Sequence, residues 1–175
     1  MISRRHIHEG TVSEAFYSEC ERYRYGLSRV WDESVPPVLF VMLNPSTATE
    51  LANDPTIHRC ETRAQRMGAG GVSIANLFAF RATKPSDLKR AEDPEGPENA
   101  ALLADWHDRA AWTIAAWGVH GGFREAGQRA ARSMADLWHL GTTKDGHPRH
   151  PLYVSYKIDP VLWLISDRYA PLPAA

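Results

Sequence analysis

Apolar residues arrive in this chain as short dense runs separated by polar, turn-forming stretches. The densest run is Val38 to Leu43, VLFVML, which no charge interrupts and which leads directly into Asn44-Pro45-Ser46-Thr47. A continuous apolar run of this length suits a strand buried on both faces of a parallel sheet. Pro45 cannot donate to a ladder, and Asn, Ser and Thr are turn and cap residues, so the strand ends there. Gly71 to Phe80, GVSIANLFAF, and Trp112 to Trp117, WTIAAW, predict the second and third buried strands. Trp138-His139-Leu140 predicts a short fourth. The intervening segments carry helical spacing. Thr56 to about Met67 turns Ile57, Cys60, Ala64 and Met67 inward, with Pro55 at its start and Gly68, Gly70 and Gly71 at its end. Glu98 to Ala110 presents Leu102, Leu103 and Trp106, and Phe123 to Leu137 presents Ala126, Ala130, Met134 and Leu137.

The flanks are less regular. Thr11-Val12-Ser13-Glu14 predicts the opening of a short helix carrying Ala15, Phe16 and Tyr17. Arg22 to Trp31 reads as a half-exposed strand, an antiparallel edge beside Val38–Leu43. Pro36-Pro37 forbids helix, Ser86-Asp87-Leu88 continues a loop, and Val161 to Ile165 is a short apolar segment that caps the core. The alternation of strand and helix predicts an α/β fold, a three-layer α/β/α sandwich. Its central, mainly parallel sheet has four strands plus one antiparallel edge strand, with right-handed crossovers.

Composition narrows the function classes. A chain of 175 residues suits one domain over residues 1–175. Its 43% hydrophobic and 23% charged residues are ordinary for a globular protein. The net charge of −1 supplies no global basic field for nucleic acid, and leaves room only for a local basic face. Cys20 and Cys60 make neither a disulfide scaffold nor a four-cysteine zinc or iron–sulfur site; no motif calls for a metal or a cofactor, and neither is expected. No run reaches the roughly 18 apolar residues of a membrane span, and MISRRHIHEG lacks the apolar region of a signal peptide. The expected setting is reduced and cytoplasmic.

The candidate chemistry lies at the strand ends. Asn44, Asn76, Gly118 and the Thr142–Pro151 loop are expected along one rim, where open α/β sheets meet their ligands. An asparagine amide offers one acceptor and two donors, which suits the edge of a planar base. General acid–base work needs a titrating group, and His147, His150, Asp54 and His58 are the candidates. Ser46, Thr47, Arg81 and Thr143 add hydrogen-bonding groups, and Lys144 and Arg149 either meet phosphate or keep the loop soluble. Asn76 has a second reading, as a group satisfying backbone at a crossover. No phosphate loop, dinucleotide fingerprint following a strand, or nucleophile elbow occurs.

FVMLNPSTA, the Asp54-Pro55-Thr56 turn, NLFAFRATKP, Trp117-Gly118 and GHPRHPLY together resemble a bacterial and phage family catalogued only as a domain of unknown function, number 1643. The resemblance runs from about Val38 to Leu152. More remotely, the order of motifs is similar to that of the uracil-DNA glycosylase superfamily. There the first strand ends in a loop bearing the catalytic aspartate or asparagine, to which Leu43-Asn44-Pro45-Ser46 is similar. The second ends in an asparagine that reads the base, as Asn76 would, with Arg81 and Pro85 following. Trp117-Gly118 matches the end of the third strand, and His147-Pro148 or His150-Pro151 the His-Pro loop after the fourth. Ser46 replaces the glycine of one branch, and the cluster-binding cysteines of others are absent.

This second resemblance implies excision of a damaged or modified base from DNA. Asn44 and His147 or His150 would be catalytic. Ser46, Thr47, Asp54, Asn76, Arg81, Gly118, Thr143, Lys144 and Arg149 would bind substrate. The alternatives are an enzyme or binder of a free nucleotide or nucleoside on the same rim, and a non-catalytic interaction protein.

Overall fold

The computed structural model describes residues 1–169. Two strands open the chain, β1 (Ile2–His8) and β2 (Thr11–Tyr17), paired as a hairpin. Glu9 and Gly10 form the turn with φ of 47° and 80°, the left-handed pair that matches the twist of a two-residue hairpin. The expected helix at Thr11–Glu14 is therefore corrected. Ser13, Ala15 and Tyr17 are buried at a period of two, and the segment is rich in β-branched and aromatic residues.

β3 (Arg24–Val30) follows, then β4 (Val38–Met42), buried throughout, and β5 (Gly71–Asn76). β6 (Trp112–Ala115), β7 (Leu137–His139) and β8 (Val161–Leu162) complete one sheet of eight strands, ordered β1-β2-β3-β5-β4-β6-β7-β8. The pairs β5–β4, β4–β6 and β6–β7 are parallel. The pairs β1–β2, β2–β3, β3–β5 and β7–β8 are antiparallel and outnumber them. This eight-stranded mixed sheet overturns the expected sandwich built on a four-stranded, mainly parallel sheet with one edge strand. The unexpected strands are those of the hairpin over residues 2–17, whose exposed, charged first strand does not announce itself, and β8, which is only two residues long. β3 is likewise neither an edge nor a neighbour of β4, since it lies between β2 and β5.

The helices are α1 (Pro55–Arg66), α2 (Pro85–Arg90), α3 (Asn99–Arg109) and α4 (Ala126–Ser133). Asp54 caps α1, its carboxylate accepting from the Ile57 N–H at 2.9 Å, and Pro55 takes the first helical turn, where no donor is needed. α2 occupies a segment expected to be loop. α4 is shorter than the expected helix over Phe123–Leu137, because Phe123 is extended and Arg124 has a φ of 50°. The strand expected to reach Phe80 ends at Asn76. Beyond it, the Leu77 and Phe78 N–H groups donate to the carbonyls of Met42 and Leu43.

Alternate residues of the central strands feed two apolar clusters. Val38, Phe40, Val72, Ile74 and Ile114 pack with Ile57, Cys60 and Ala64 of α1. Leu39, Val41, Ala75 and Ala115 pack with Leu102 and Leu103 of α3 and with Ala130 and Ala131 of α4. Trp163, only 2% exposed, joins the second cluster and donates its backbone N–H to the Leu137 carbonyl, whereas Val161, Leu162 and Leu164 of the same segment are exposed. Among the described residues no helix is long and apolar enough to cross a membrane.

Gly70 shows how tightly the connection into β5 is built. A Cβ there would lie 2.0 Å from the Asp32 carbonyl oxygen and 2.3 Å from that of Val35. Both contacts are backbone and cannot rotate away. Gly70→Ala is expected to destabilise by about 1–3 kcal/mol, read as a lower denaturant midpoint with unchanged slope.

Candidate functional site

A pocket of about 690 Å³ opens beyond the carboxyl ends of β4 and β6. That volume lies in the usual range for small-molecule sites. Five stretches of chain and the isolated Arg24 of β3 line it: Met42 to Ser46 after β4, Asp54 to Ile57 at the start of α1, Ala82 to Pro85, Trp117 to His120, and residues that follow β7.

Asn44 sits half-buried at the end of β4. Its amide NH₂ donates to the Ala82 carbonyl at 2.7 Å and to the Pro45 carbonyl at 3.0 Å. Both donors are thus committed to backbone. Among the described residues no donor reaches the amide oxygen, so Asn44 offers the pocket an acceptor held in a fixed orientation.

The loop after β7 is a tight hairpin. Thr142 bridges Pro148, the Thr143 N–H donates to the His147 carbonyl, and the Arg149 N–H donates to that of Gly141. Gly118, with φ of 68° and ψ of −170°, adopts a conformation open only to glycine and ties β6 to this loop by donating to the Pro148 carbonyl at 2.9 Å. The hairpin separates the two histidines. His150 lines the pocket, whereas Nδ1 of His147 lies 3.3 Å from the Tyr169 hydroxyl and its ring packs edge-on to that of Tyr169.

His150 Nδ1 accepts from the Leu152 N–H at 3.4 Å, which leaves its proton on Nε2. Burial pushes the His150 pKa below its ordinary value, against a smaller opposing effect of Asp54. The imidazole is therefore neutral at pH 7 and available as a donor. His139 is displaced in the same direction by burial. Below the ordinary histidine pKa of about 6.5 the unfolded chain takes up protons that the folded one refuses. Stability present above pH 6.5 is thus expected to fall as the pH is lowered through the folded pKa values. His150→Gln is expected to flatten part of that slope, and melting temperatures measured from pH 5 to 8 check it.

Of the other residues expected at the site, Ser46, Asp54, Gly118, Thr143 and Arg149 line the same pocket. Thr47, Lys144 and His58 are exposed and outside its lining. Arg81 is also outside, donating to the Glu21 carbonyl at 3.1 Å with its guanidinium over the Tyr17 ring. Asn76 is 1% exposed and outside the lining, opposite the lining residue Met42 in the β4–β5 register. Neither polar atom of its amide has a partner among the described residues.

Arg24 was not expected. It enters the pocket wall from the start of β3, 2% exposed, donating to the Ala48 carbonyl. In a half-exposed strand a charged residue is ordinarily on the solvated face. A bulge at Phe16/Tyr17 in the β2–β3 pairing breaks the strand's alternation and buries Arg24 and Tyr25 in succession. Tyr153 is a second addition, 84% exposed at the pocket mouth, with its ring 6.1 Å from that of His150. Arg59 and Arg63 of α1 hold the segment behind it by donating to the carbonyls of Pro151, Val154, Ser155 and Ile158.

No curated protein and no solved structure gives a significant match to this chain. A family model does match, over residues 24–152, a span that contains every pocket-lining residue except Tyr153. The chain belongs to that family, described as a protein of unknown function, DUF1643.

Proposed function

We propose that the pocket accepts a nucleotide whose base is released by hydrolysis, in the manner of a uracil-DNA-glycosylase-like enzyme acting on a damaged or modified base in DNA. The observation that carries this reading is the pairing in one pocket of an oriented acceptor, Asn44 Oδ1, with a neutral histidine donor, His150 Nε2.

In such a reaction the bond from sugar C1′ to the base nitrogen breaks, and the base leaves with the electron pair. Asn44 Oδ1 accepts a hydrogen bond from the attacking water and faces the cationic sugar as it develops. His150 donates to the base carbonyl on which negative charge grows, a stabilisation of the oxyanion type. The oxygen of water ends on C1′, and its proton passes to the departing base or to solvent. Entry of a duplex base requires flipping, at a cost of a few kcal/mol that contacts within the pocket must offset. The exposed Arg149 on the pocket lining, and Lys144 in the same loop, suit phosphate contacts.

A second reading, a free nucleotide or nucleoside as substrate, draws on the net charge of −1, which disfavours tight non-specific binding of DNA. Binding of an abasic-site oligonucleotide separates the two. DNA affinity falling steeply from 50 to 200 mM salt supports the first reading. Salt-insensitive binding of a mononucleotide with no oligonucleotide binding would replace it by the second.

A further inference from the structure

Arg24 is a buried cation without a salt bridge, with Asp54 as its nearest favourable carboxylate. Among the described residues it makes no ion pair, and its one hydrogen-bond partner is the Ala48 carbonyl. Its Nε is buried without an acceptor. Asp54, on the same pocket wall, has its carboxylate engaged by the Ile57 N–H, and the Glu50 carboxylate accepts from the Tyr17 hydroxyl. A guanidinium in this state carries a desolvation cost that the attraction of Tyr17 and Asp54 only partly offsets, and its planar fork matches phosphate and carboxylate oxygens. Asn76 adds two further buried polar atoms without partners at the next strand end.

We propose that Arg24 is the anion-binding group of this pocket, and that the ligand presents a phosphate or carboxylate to it at the buried end. The inference rests on the nucleotide reading only for the choice of probes. It goes beyond that reading because it requires a negative charge on the part of the ligand that enters deepest. A carboxylated base would place that charge on the base, and a mononucleotide entering phosphate-first would place it on the phosphate.

The test is ligand-induced thermal stabilisation of the full chain, with two matched pairs of probes: uracil against uracil-6-carboxylate, and uridine against uridine 5′-monophosphate. Pyrophosphate serves as an anion without a base. In the wild type, the charged member of at least one pair is expected to raise the melting temperature about 5 °C more than its neutral partner at saturation. The pair that responds identifies the source of the charge. Arg24→Met is expected to abolish this excess while retaining the smaller shift given by the neutral partner. Arg24→Gln keeps a donor for the Ala48 carbonyl and is expected to lose the same excess if the Met variant does not fold.

Equal shifts from charged and neutral partners in the wild type would overturn the proposal, as would an excess that survives in both variants. These readouts need no turnover. Absence of base release therefore leaves the anion site standing, and loss of the anion excess leaves base release open to its own test.

Discussion

Asn44→Ala is expected to lower the rate of base release by about 10²–10⁴-fold, the range lost when a positioned group that handles the reacting water is removed. Only the amide oxygen of Asn44 is free to act, because both N–H bonds go to the Ala82 and Pro45 carbonyls. The same anchoring makes a separable prediction about Asn44→Asp. An ionised carboxylate keeps an acceptor but has no N–H to give either carbonyl, so it faces two acceptors at close range. Asn44→Asp is therefore expected to lose activity together with stability. Asn44→Ala leaves two carbonyls that the half-open site can hydrate, and is expected to cost only about 1 kcal/mol. Single-turnover base release and urea melts on the two variants check the contrast. An aspartate variant as stable and as active as wild type would remove Asn44 from its assigned role.

Arg63→Met is expected to have the largest effect on stability, a loss of about 2–4 kcal/mol and a melting temperature lower by roughly 5–12 °C. The Arg63 side chain is nearly buried and donates to the Ser155 carbonyl at 2.7 Å, the Ile158 carbonyl at 2.9 Å and the Val154 carbonyl at 3.0 Å. Methionine fills much of the volume and leaves all three acceptors without that partner. Part of the loss is offset because a buried cation is also removed. The segment so loosened begins directly after His150 and carries Tyr153, so substrate affinity is expected to fall along with stability. A melting temperature within about 1 °C of wild type would show that this segment is held by something other than Arg63.

The two features above differ in how they could be read from the chain. Asn44 was legible because a dense apolar run stops at a proline and polar residues follow at once, which marks a strand end by backbone chemistry alone. His150 and His147 were legible as a pair but not as individuals. Which one faces the pocket depends on the hairpin Gly141–Arg149 and its pairing of Thr142 with Pro148, a geometry set by tertiary contacts. Arg63 and Arg24 were not legible. Arginines on a helix face or in an alternating strand are normally solvated, and their burial here follows from a bulge and from a distant segment folding over them. The N-terminal hairpin was misread for a related reason. Its first strand is almost wholly exposed and carries Arg4, Arg5, His6 and His8, so no apolar face marks it. Its register comes from the Glu9–Gly10 turn and from pairing with β2. Asn76 was placed at the right strand end, but it is buried, with both amide atoms unpartnered among the described residues. It is not among the residues that line the open pocket.

The most direct measurement is base release from duplex and single-stranded DNA over a panel of uracil-containing, mismatched and hypermodified bases. It is scored by the free base and by the abasic site left behind, with Asn44→Ala and His150→Ala alongside. The expected result is release from at least one substrate by the wild type and a fall of at least about 10²-fold in each variant. No release from any substrate, or release that both variants retain, would contradict the assignment of Asn44 and His150 to a base-excising site.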